Sequence, residues 1–470
     1  MGTRIQFIKD SLFVFSANSF YLGVNAIVGF LVPLRIGVQQ YALYSLFILY
    51  VAFVGFAHFG LNDGFYISLG GYEYKTLPLL FVRANFVFLS TLQFASAGLV
   101  LVIAAILKDS AHFLIFVLVA ANMILINISS FFAFLNQITK KFRCFAFNTI
   151  ASRLVFLALT CLLFFKKSDK YIPYIIAFTI ANIVAVFLYL IKDRGVIWGP
   201  YPAPSEISRL SLNTMKLGFA IMLGNIFGIL VINSGRFIVE SRFSSKDFAI
   251  FSFSVYLMSV IYLAAQAVSL AVYPRLSRRS ALELGYIYKH LKIFSFLGIA
   301  ASLIFYFPLY YLVHLTLPSF SESLVYARWL FPAIIYKAQY SLIHTNYFKY
   351  YKFKYEYMRN GFVAFIITLL LCLSAYIVFR SLTCIAVATV ISWAIWILIS
   401  DAFFRRRINI NVKKENVFQA ISCIVFYGSF IVKPLLLSGL IYMTFIIMII
   451  GYVYRDAVLA FAGRRAFSFF

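Results

Sequence analysis

The sequence predicts an all-α polytopic membrane protein with 12 to 14 transmembrane helices, arranged as two six-helix lobes plus a C-terminal helix pair. Of the 470 residues, 63% are hydrophobic and 12% are charged, and the mean hydropathy is +0.93. A soluble domain of this size is not so apolar. Apolar runs recur along nearly the whole chain, and many approach the ~20 residues that a helix needs to cross ~30 Å of hydrocarbon. These runs lack the period-2 alternation of transmembrane β-strands, which argues against a barrel.

Apolar runs between charged residues predict fourteen spans in chain order. The predicted spans are 11–34, 42–61, 84–107, 113–136, 144–165, 171–191, 217–239, 248–273, 293–317, 329–346, 360–379, 381–404, 417–432 and 435–454. The thirteenth is the shortest, and only Lys433 and Pro434 separate it from the next. Twelve spans and a hairpin are therefore the alternative.

The charge distribution predicts the orientation of the chain. The formal net charge is +26, from 41 Lys and Arg against 15 Asp and Glu. In a soluble protein this excess would suggest a nucleic-acid partner. Here the cations lie in short groups between apolar runs. With the N-terminus inside, 28 fall in cytoplasmic segments, 10 in outer loops and three in spans. The positive-inside rule thus predicts two cytoplasmic termini, and no nucleic-acid partner is predicted.

The predicted lobes are joined by a hydrophilic stretch rich in glycine and proline. We expect an N-lobe over residues 1–191, a cytoplasmic linker over 192–216, a C-lobe over 217–404, and a C-terminal helix pair and tail over 405–470. The sequence YALYS at 41–45 is echoed by FAIFS at 248–252, each after the first helix of its half. Equivalent placement favours an internal repeat, which is common in transporters.

Three cations lie within the predicted spans: Arg153, Arg236 and Lys337. A cation near the bilayer centre costs at least ~2.5 kcal/mol on insertion scales, so it normally faces a water-filled cavity or a partner. Arg153 is nine residues into its span and Lys337 is eight into its own, which places both near mid-membrane. Arg236 is close to the outer end of its span, where it could snorkel to the interface.

No Asp or Glu occupies the middle of a predicted span, so these cations lack obvious counter-ions. We therefore expect an anionic substrate, and a pyrophosphate presents several oxygens to Arg and Lys donors. We expect Arg153 and Lys337 to line one central cavity. Amide side chains in the spans are candidates for contacts to a sugar, although interhelical hydrogen bonding is the alternative for each. These candidates are Asn25, Asn225, Asn233 and Gln339.

A second polar group, His58, Asn62 and Asp63, lies at the inner end of the second span. Coupling to H⁺ or Na⁺ would be its functional role, and fixing a helix end is the structural alternative. The five cysteines show no CxxC spacing. No metal site, cofactor or catalytic constellation is predicted.

Several short motifs resemble polysaccharide flippases, the Wzx-type O-antigen flippases of the multidrug/oligosaccharidyl-lipid/polysaccharide exporter superfamily. The matching motifs are Pro33–Gly37 continuing to Tyr41–Ser45, Phe59–Gly64, Arg236–Phe237, Pro274–Arg278 and Asn346–Lys349. The chain departs from the family pattern at two positions. Ala42 stands where the family often has glycine, and Gly235 stands where an acidic residue commonly precedes the arginine.

The resemblance implies a two-lobed helical bundle around a cationic cavity. It also implies a flippase, not an enzyme, that carries undecaprenyl-pyrophosphate-linked oligosaccharide to the periplasmic leaflet by alternating access, for O-antigen (lipopolysaccharide) or capsule biosynthesis. Partners would include the lipid bilayer, a polysaccharide polymerase and other assembly proteins. A lipid II flippase would share the fold and the cationic cavity. A drug exporter of the same superfamily would be expected to keep carboxylates in its spans. A membrane glycosyltransferase or polymerase would need catalytic groups and usually a long outer loop.

Overall fold

The computed structural model describes residues 2–107, 110–276, 279–280 and 283–455. Within these ranges the regular structure is helical, with no β-strand. Twelve helices there are long and apolar enough to cross a membrane. The predicted all-α polytopic fold is thereby confirmed. The end of the predicted C-terminal tail and the last residues of the motif at 274–278 lie outside the described part of the chain.

The chain divides into two compact units at residues 229 and 230, within one long helix. The first unit has a core of aromatic and aliphatic side chains around Phe65, Phe131 and Tyr189. Its helices are Gly2–Leu31, Val38–Val54, Leu61–Ser68, Leu79–Leu107, Ser110–Ile138, Phe142–Phe165, Tyr171–Lys192, Arg194–Ile197 and the first part of Pro204–Arg242.

The second unit contains the rest of the long helix and the helices after it. Its buried side chains include the large aromatic rings of Tyr288, Trp396 and Phe426. The helices after the long one are Ser245–Leu276, Leu284–Ser302, Tyr306–Thr316, Ser323–Leu330, Ala333–Gln339, Thr345–Tyr350, Lys354–Phe379, Leu382–Ile408, Lys413–Ser429 and Leu435–Met448.

The tenth predicted span is a broken helix over residues 323–350. The α-helix Ser323–Leu330 ends at a turn over residues 331–332 that includes Pro332, and the α-helix resumes over Ala333–Gln339. Residues Tyr340–His344 then form a π-helical turn. Proline lacks the N–H of a regular helix, and a π-turn inserts one extra residue and often marks a functional site. This broken helix and the 17-residue helix Lys413–Ser429 account for the difference between fourteen predicted spans and twelve observed long apolar helices.

The stretch expected to link the lobes is partly helical. The short helix Arg194–Ile197 follows Lys192, and the long helix begins at Pro204, so residues 204–216 continue directly into the seventh predicted span. The predicted domain limits stay predictions.

The motif Phe59–Gly64 is a close contact between backbones. Gly60 has a φ of +84°, and a Cβ there would come 2.6 Å from the Phe219 nitrogen. A Cβ on Gly64 would overlap the carbonyl oxygen of Thr214. Only glycine permits this approach at both positions. The long helix therefore packs directly against this turn within the first unit.

Candidate functional site

Arg153 extends from the helix Phe142–Phe165 between two aromatic rings of the first unit. Its Cζ lies 4.3 Å from the centre of the Tyr21 ring and 5.7 Å from that of Phe178. The Nη1 atom is buried and has no hydrogen-bond partner. No ion pair with Arg153 occurs within the ranges that the structure describes. The guanidinium thus has aromatic contacts but unused hydrogen-bonding capacity.

Lys337 lies in the middle of the broken helix, and 7% of its surface is exposed. Its Nζ lies 4.0 Å above the centre of the Tyr262 ring. Among the described residues the ammonium group has no ion pair and no hydrogen bond. An ammonium carries three donors, and the Tyr262 ring compensates its charge only in part. Lys337 is therefore a buried cation able to bind an anion.

Arg236 is buried against polar side chains of the second unit. Its Nε donates to Ser252 Oγ at 3.2 Å, and its Nη1 donates to Asn233 Oδ1 at 3.2 Å. The Phe248 ring lies 5.7 Å from its Cζ. The predicted site residue Asn233 is thus a partner of the predicted site residue Arg236, and part of the hydrogen-bonding capacity of both is used inside the protein.

The other predicted amides occupy three different settings. Asn25 is half-buried on the first helix, and Asn225 is exposed. Gln339 is fully buried. Its Oε1 accepts from Gln419 Nε2 at 2.9 Å, and its Nε2 lies 3.4 Å from the Lys292 carbonyl oxygen. Gln339 thus ties the broken helix to two neighbouring helices.

The group at the end of the second span is internally bonded. His58 Nδ1 accepts from the Gly60 N–H at 3.0 Å, and His58 Nε2 lies 3.7 Å from Asp63 Oδ2. Asn62 donates to the Asn127 carbonyl at 3.1 Å, while its own Oδ1 is buried without a partner. These contacts favour the structural alternative, and ion coupling by this group stays a prediction.

A buried charged cluster that sequence reasoning missed surrounds Asp401. The carboxylate accepts from Lys292 Nζ at 2.7 Å and from Asn416 Nδ2 at 2.8 Å through Oδ2. Through Oδ1 it accepts from the Tyr288 hydroxyl at 2.7 Å, and His344 Nε2 lies 2.9 Å away. Lys292, His344 and Tyr288 are 0% exposed. We refer to these five residues as the Asp401 cluster.

Two features of the sequence hid this cluster. Lys292 directly precedes the predicted span 293–317 and so belongs to a predicted cytoplasmic basic segment, but the helix begins at Leu284 and buries it. The partners of the ion pair are 109 positions apart in sequence. The four-residue spacing of Tyr288 and Lys292, which places both on one helix face, was the available signal.

A second buried carboxylate, Asp193, organises the segment after the seventh helix of the first unit. It accepts from the Tyr74 hydroxyl at 2.9 Å and Asn136 Nδ2 at 2.7 Å, and Lys141 Nζ lies 3.8 Å away. Burial raises the pKa of Tyr74, and the Asp193 charge adds to that rise. Burial lowers the pKa of Lys141, while Asp193 opposes that change. Lys141 therefore has a carboxylate partner, whereas Arg153 has none in the described chain.

The Arg83 side chain holds the same segment in place by binding the backbone of residues 195–200. The Arg83 side chain donates to the carbonyl oxygens of Val196, Gly195, Trp198 and Pro200 at 2.8 to 3.3 Å. Its donors are thus used in fixing the chain, so this buried cation is structural. In the described residues no group of three or more His, Cys, Asp or Glu could hold a metal ion.

No protein-family model and no curated protein matches this sequence. Solved structures do match it. The inward closed conformation of the lipid II flippase MurJ superimposes with a TM-score of 0.67 at 16% identity, covering 96% of this chain and all of that one. An inward-facing multidrug resistance MATE family transporter of the MOP superfamily gives 0.62 at 12% identity, covering 85% of this chain and 98% of that one.

The eukaryotic MATE transporter AtDTX14 gives 0.62 at 11% identity, covering 88% of this chain and 98% of that one. At these identities the likeness shows the fold. The chain is thus a multi-pass membrane protein with the fold that a lipid II flippase and MATE transporters share.

Proposed function

We propose that this protein is a flippase that moves undecaprenyl-pyrophosphate-linked oligosaccharide from the cytoplasmic to the periplasmic leaflet. The observation that carries the proposal is the pair of cations, Arg153 and Lys337, that have aromatic contacts but no carboxylate partner in the described chain. The proposal includes a bacterial inner membrane, cytoplasmic termini, coupling to H⁺ or Na⁺, and service to an O-antigen or capsule pathway with its polymerase.

The energetics favour a binding role for these cations. Placing a cation at the centre of a membrane helix costs ~2.5 to 3.5 kcal/mol. A cation over an aromatic ring recovers about 0.5 to 2 kcal/mol. The remaining cost would select against an unpaired cation without a function. Arginine binds phosphate oxygens in a bidentate manner and lysine binds them as a point charge, so both suit a pyrophosphate.

The same pairing pattern argues against export of cationic drugs. Such a substrate calls for an accessible carboxylate. In the described chain the buried aspartates are already paired, Asp401 with Lys292 and Asp193 with Lys141, and the buried Glu415 is 2% exposed and interacts with Lys292. The second candidate is a lipid II flippase, which the fold shared with MurJ favours. Both candidates have a pyrophosphate-linked lipid as substrate, so the sugar distinguishes them.

The experiment is a flipping assay in proteoliposomes with two undecaprenyl-pyrophosphate lipids, one carrying an O-antigen repeat unit and one carrying the lipid II headgroup. A lectin or an impermeant sugar-modifying reagent outside the vesicles reports the accessible fraction. The account predicts flipping of the repeat unit by wild-type protein. Preference for the lipid II headgroup would favour the second candidate, and no flipping of either would contradict both.

Mass spectrometry of the recovered lipid separates transport from catalysis. We expect the recovered mass to be unchanged, because no catalytic constellation was predicted. A new glycosidic bond or a shortened sugar would identify an enzyme instead.

In the flipping assay, variants of Arg153 and Lys337 that remove a buried cation need a control for loss of charge. The matched control is Arg380→Gln, which removes an exposed cation at the end of the helix Lys354–Phe379.

A further inference from the structure

The Asp401 cluster has one position where a further proton fits. The Asp401 carboxylate faces four donor groups, two at each oxygen. A carboxylate offers about four lone-pair positions, so this one is saturated and acts only as an acceptor. Lys292 and Asn416 act as donors, and the Tyr288 hydroxyl has one hydrogen, which it gives to Asp401. A further proton therefore has to bind elsewhere.

The geometry shows which nitrogen of the neutral His344 ring carries the hydrogen. Nε2 lies 2.9 Å from Asp401 Oδ1 and 2.9 Å from the Tyr288 oxygen. A bare Nε2 would direct a lone pair at a carboxylate oxygen, so Nε2 carries the hydrogen. The other ring nitrogen, Nδ1, is buried and makes no hydrogen bond of regular geometry, and the backbone of Gln339 provides a polar group beside the ring. Nδ1 is then the atom of this ring that can accept a proton.

His344 is surrounded by titratable groups from each neighbouring helix. Tyr288 and Lys292 come from Leu284–Ser302, and Asp401 comes from Leu382–Ile408. Glu415, which is 2% exposed and has an unpartnered Oε2, comes from Lys413–Ser429 and interacts electrostatically with Lys292. The broken helix itself contributes two tyrosines near the cluster. These are Tyr340, whose ring lies 5.7 Å from that of His344, and Tyr347, whose ring contacts that of Tyr288.

On its remaining side the broken helix packs against the helix Ser245–Leu276. The contact there is the Ser269 hydroxyl, which donates to the Ser341 carbonyl at 2.7 Å. Tyr262, the ring under Lys337, lies on the same helix. A proton on His344 would raise the net charge of Lys292, Asp401 and His344 from zero to +1 in a buried site. Such a site responds strongly to one added charge.

His344 is also the last residue of the π-helical turn. A π-turn holds one residue more than an α-helical turn, so a change at its end can shift the register of the helix before it. Lys337 lies in that preceding helix. The Gln339 side chain joins the same helix by hydrogen bonds to the Lys292 carbonyl and to Gln419. The broken helix therefore joins the Asp401 cluster directly to the cation that is expected to bind the substrate.

We propose that His344 Nδ1 is a proton-binding site, and that its occupancy shifts the broken helix between two conformations that present Lys337 differently. The proton site stands on the cluster geometry alone. Its effect on transport rests on the proposed flippase function. If one proton distinguishes the two conformations, linkage limits the change in their ratio to about tenfold per pH unit.

Intrinsic fluorescence of the purified protein in lipid nanodiscs tests the proton site without transport. The centre of the Trp396 ring lies 3.9 Å from that of Tyr340 and 5.0 Å from that of Trp393. Because Tyr340 belongs to the π-turn, these two indoles report on its conformation. Trp198 and Trp329 are replaced by phenylalanine to isolate the signal. We expect a one-proton transition as pH falls.

The matched variants are His344→Gln, which should lose the transition, and His290→Gln, which should keep it. His290 is a half-buried histidine of the helix Leu284–Ser302. Persistence of the transition in His344→Gln would overturn the proposal. So would its loss in Glu415→Gln with retention in His344→Gln, or a response to Na⁺ at constant pH in place of a response to protons.

A measurement on the unaltered chain covers the case in which His344→Gln does not fold. The protein has five histidines, and ¹⁵N labelling of them reports the protonation of each ring nitrogen by NMR. The resonance of His344 is identified by its shift in Tyr288→Phe, which removes the hydroxyl beside Nε2. The proposal predicts that its Nδ1 gains a proton as pH falls. An Nδ1 resonance that stays constant over the whole pH range in which the protein remains folded would contradict it.

The flipping assay at a series of pH values completes the test. We expect the wild-type rate to change by up to about tenfold per pH unit and the His344→Gln rate to be flat. A fluorescence transition that depends on His344 in a protein that flips no pyrophosphate lipid would refute the proposed function and keep the proton site. Flipping by wild-type protein with no such transition would refute the proton site alone.

Discussion

Lys292 and Lys337 are both buried in the second unit, yet their surroundings differ. Lys292 donates to Asp401 at 2.7 Å within a saturated cluster of donors. Lys337 faces the Tyr262 ring at 4.0 Å and has no carboxylate partner in the described chain. The first unit repeats the contrast, with Lys141 beside Asp193 and Arg153 between aromatic rings. Burial alone therefore does not indicate the role of a cation, whereas its pairing does.

This contrast separates two physical outcomes. Removing one partner of a buried ion pair leaves an uncompensated charge and is strongly destabilising. Removing an unpaired buried cation relieves a desolvation cost. Paired cations should therefore control stability and unpaired cations should control transport.

The largest loss is expected for Asp401→Asn, which keeps the shape of the side chain and removes its charge. It leaves Lys292 buried without its hydrogen-bonded counter-ion, so the free energy of unfolding should fall by about 3 to 5 kcal/mol. Thermal unfolding in detergent, followed by tryptophan fluorescence, measures the change. The double variant Asp401→Asn with Lys292→Met should recover part of the loss. No recovery would show that the cluster is not held by this pair.

An intermediate loss is expected for Asp193→Asn in the first unit. The carboxylate is fully buried, but Lys141 is 35% exposed, so water screens part of the charge that is left behind. We expect a loss of about 1 to 3 kcal/mol, the range for a buried hydrogen-bonded group left partly unsatisfied. The same unfolding measurement applies. A loss as large as that of Asp401→Asn would mean that exposure of the partner does not set the difference.

A small loss is expected for Lys246→Gln, which breaks a surface ion pair with Glu322. The two side chains are 63% and 45% exposed and their charged atoms are 3.1 Å apart. Exposed pairs contribute about 0.2 to 1 kcal/mol, and salt screens them. The effect should shrink further in 1 M salt. A loss above 2 kcal/mol would show that short distance outweighs exposure in this protein.

The smallest loss is expected for Lys337→Met, which replaces an unpaired ammonium by an apolar side chain of similar length. The unfolding free energy should stay the same or rise, because the desolvation cost disappears. Transport, in contrast, should be lost. A variant destabilised as strongly as Asp401→Asn would show that Lys337 has a structural partner, and the contrast with Lys292 would fail.

The sequence predicted the parts of the fold that depend on local composition. Hydropathy located all twelve long apolar helices, because each is specified by the residues within it. It did not predict the π-turn ending at His344, for which the residues of the segment carry no local signal, whereas Pro332 was a local signal for the break within the predicted span 329–346. Arg153 and Lys337 were found because a cation inside an apolar run is visible locally. Their roles, and that of Arg236, stay predictions.

The Asp401 cluster escaped sequence analysis for the same physical reason. Its members come from four helical segments, and the distance between Lys292 and Asp401 along the chain carries no local signal. Asp401 is followed by Arg405, Arg406 and Arg407, which suggested an exposed helix end. The helix in fact keeps Asp401 4% exposed while those arginines are exposed.

The central claim is that unpaired buried cations bind the pyrophosphate of a lipid-linked sugar. The most direct measurement compares flipping of a pyrophosphate-linked oligosaccharide lipid by wild-type protein, Lys337→Met, Arg153→Gln and the control Arg380→Gln in proteoliposomes, at equal amounts of folded protein. The account predicts wild-type rates for Arg380→Gln, partial activity for Arg153→Gln and loss of flipping for Lys337→Met. Wild-type rates for both Lys337→Met and Arg153→Gln would contradict it.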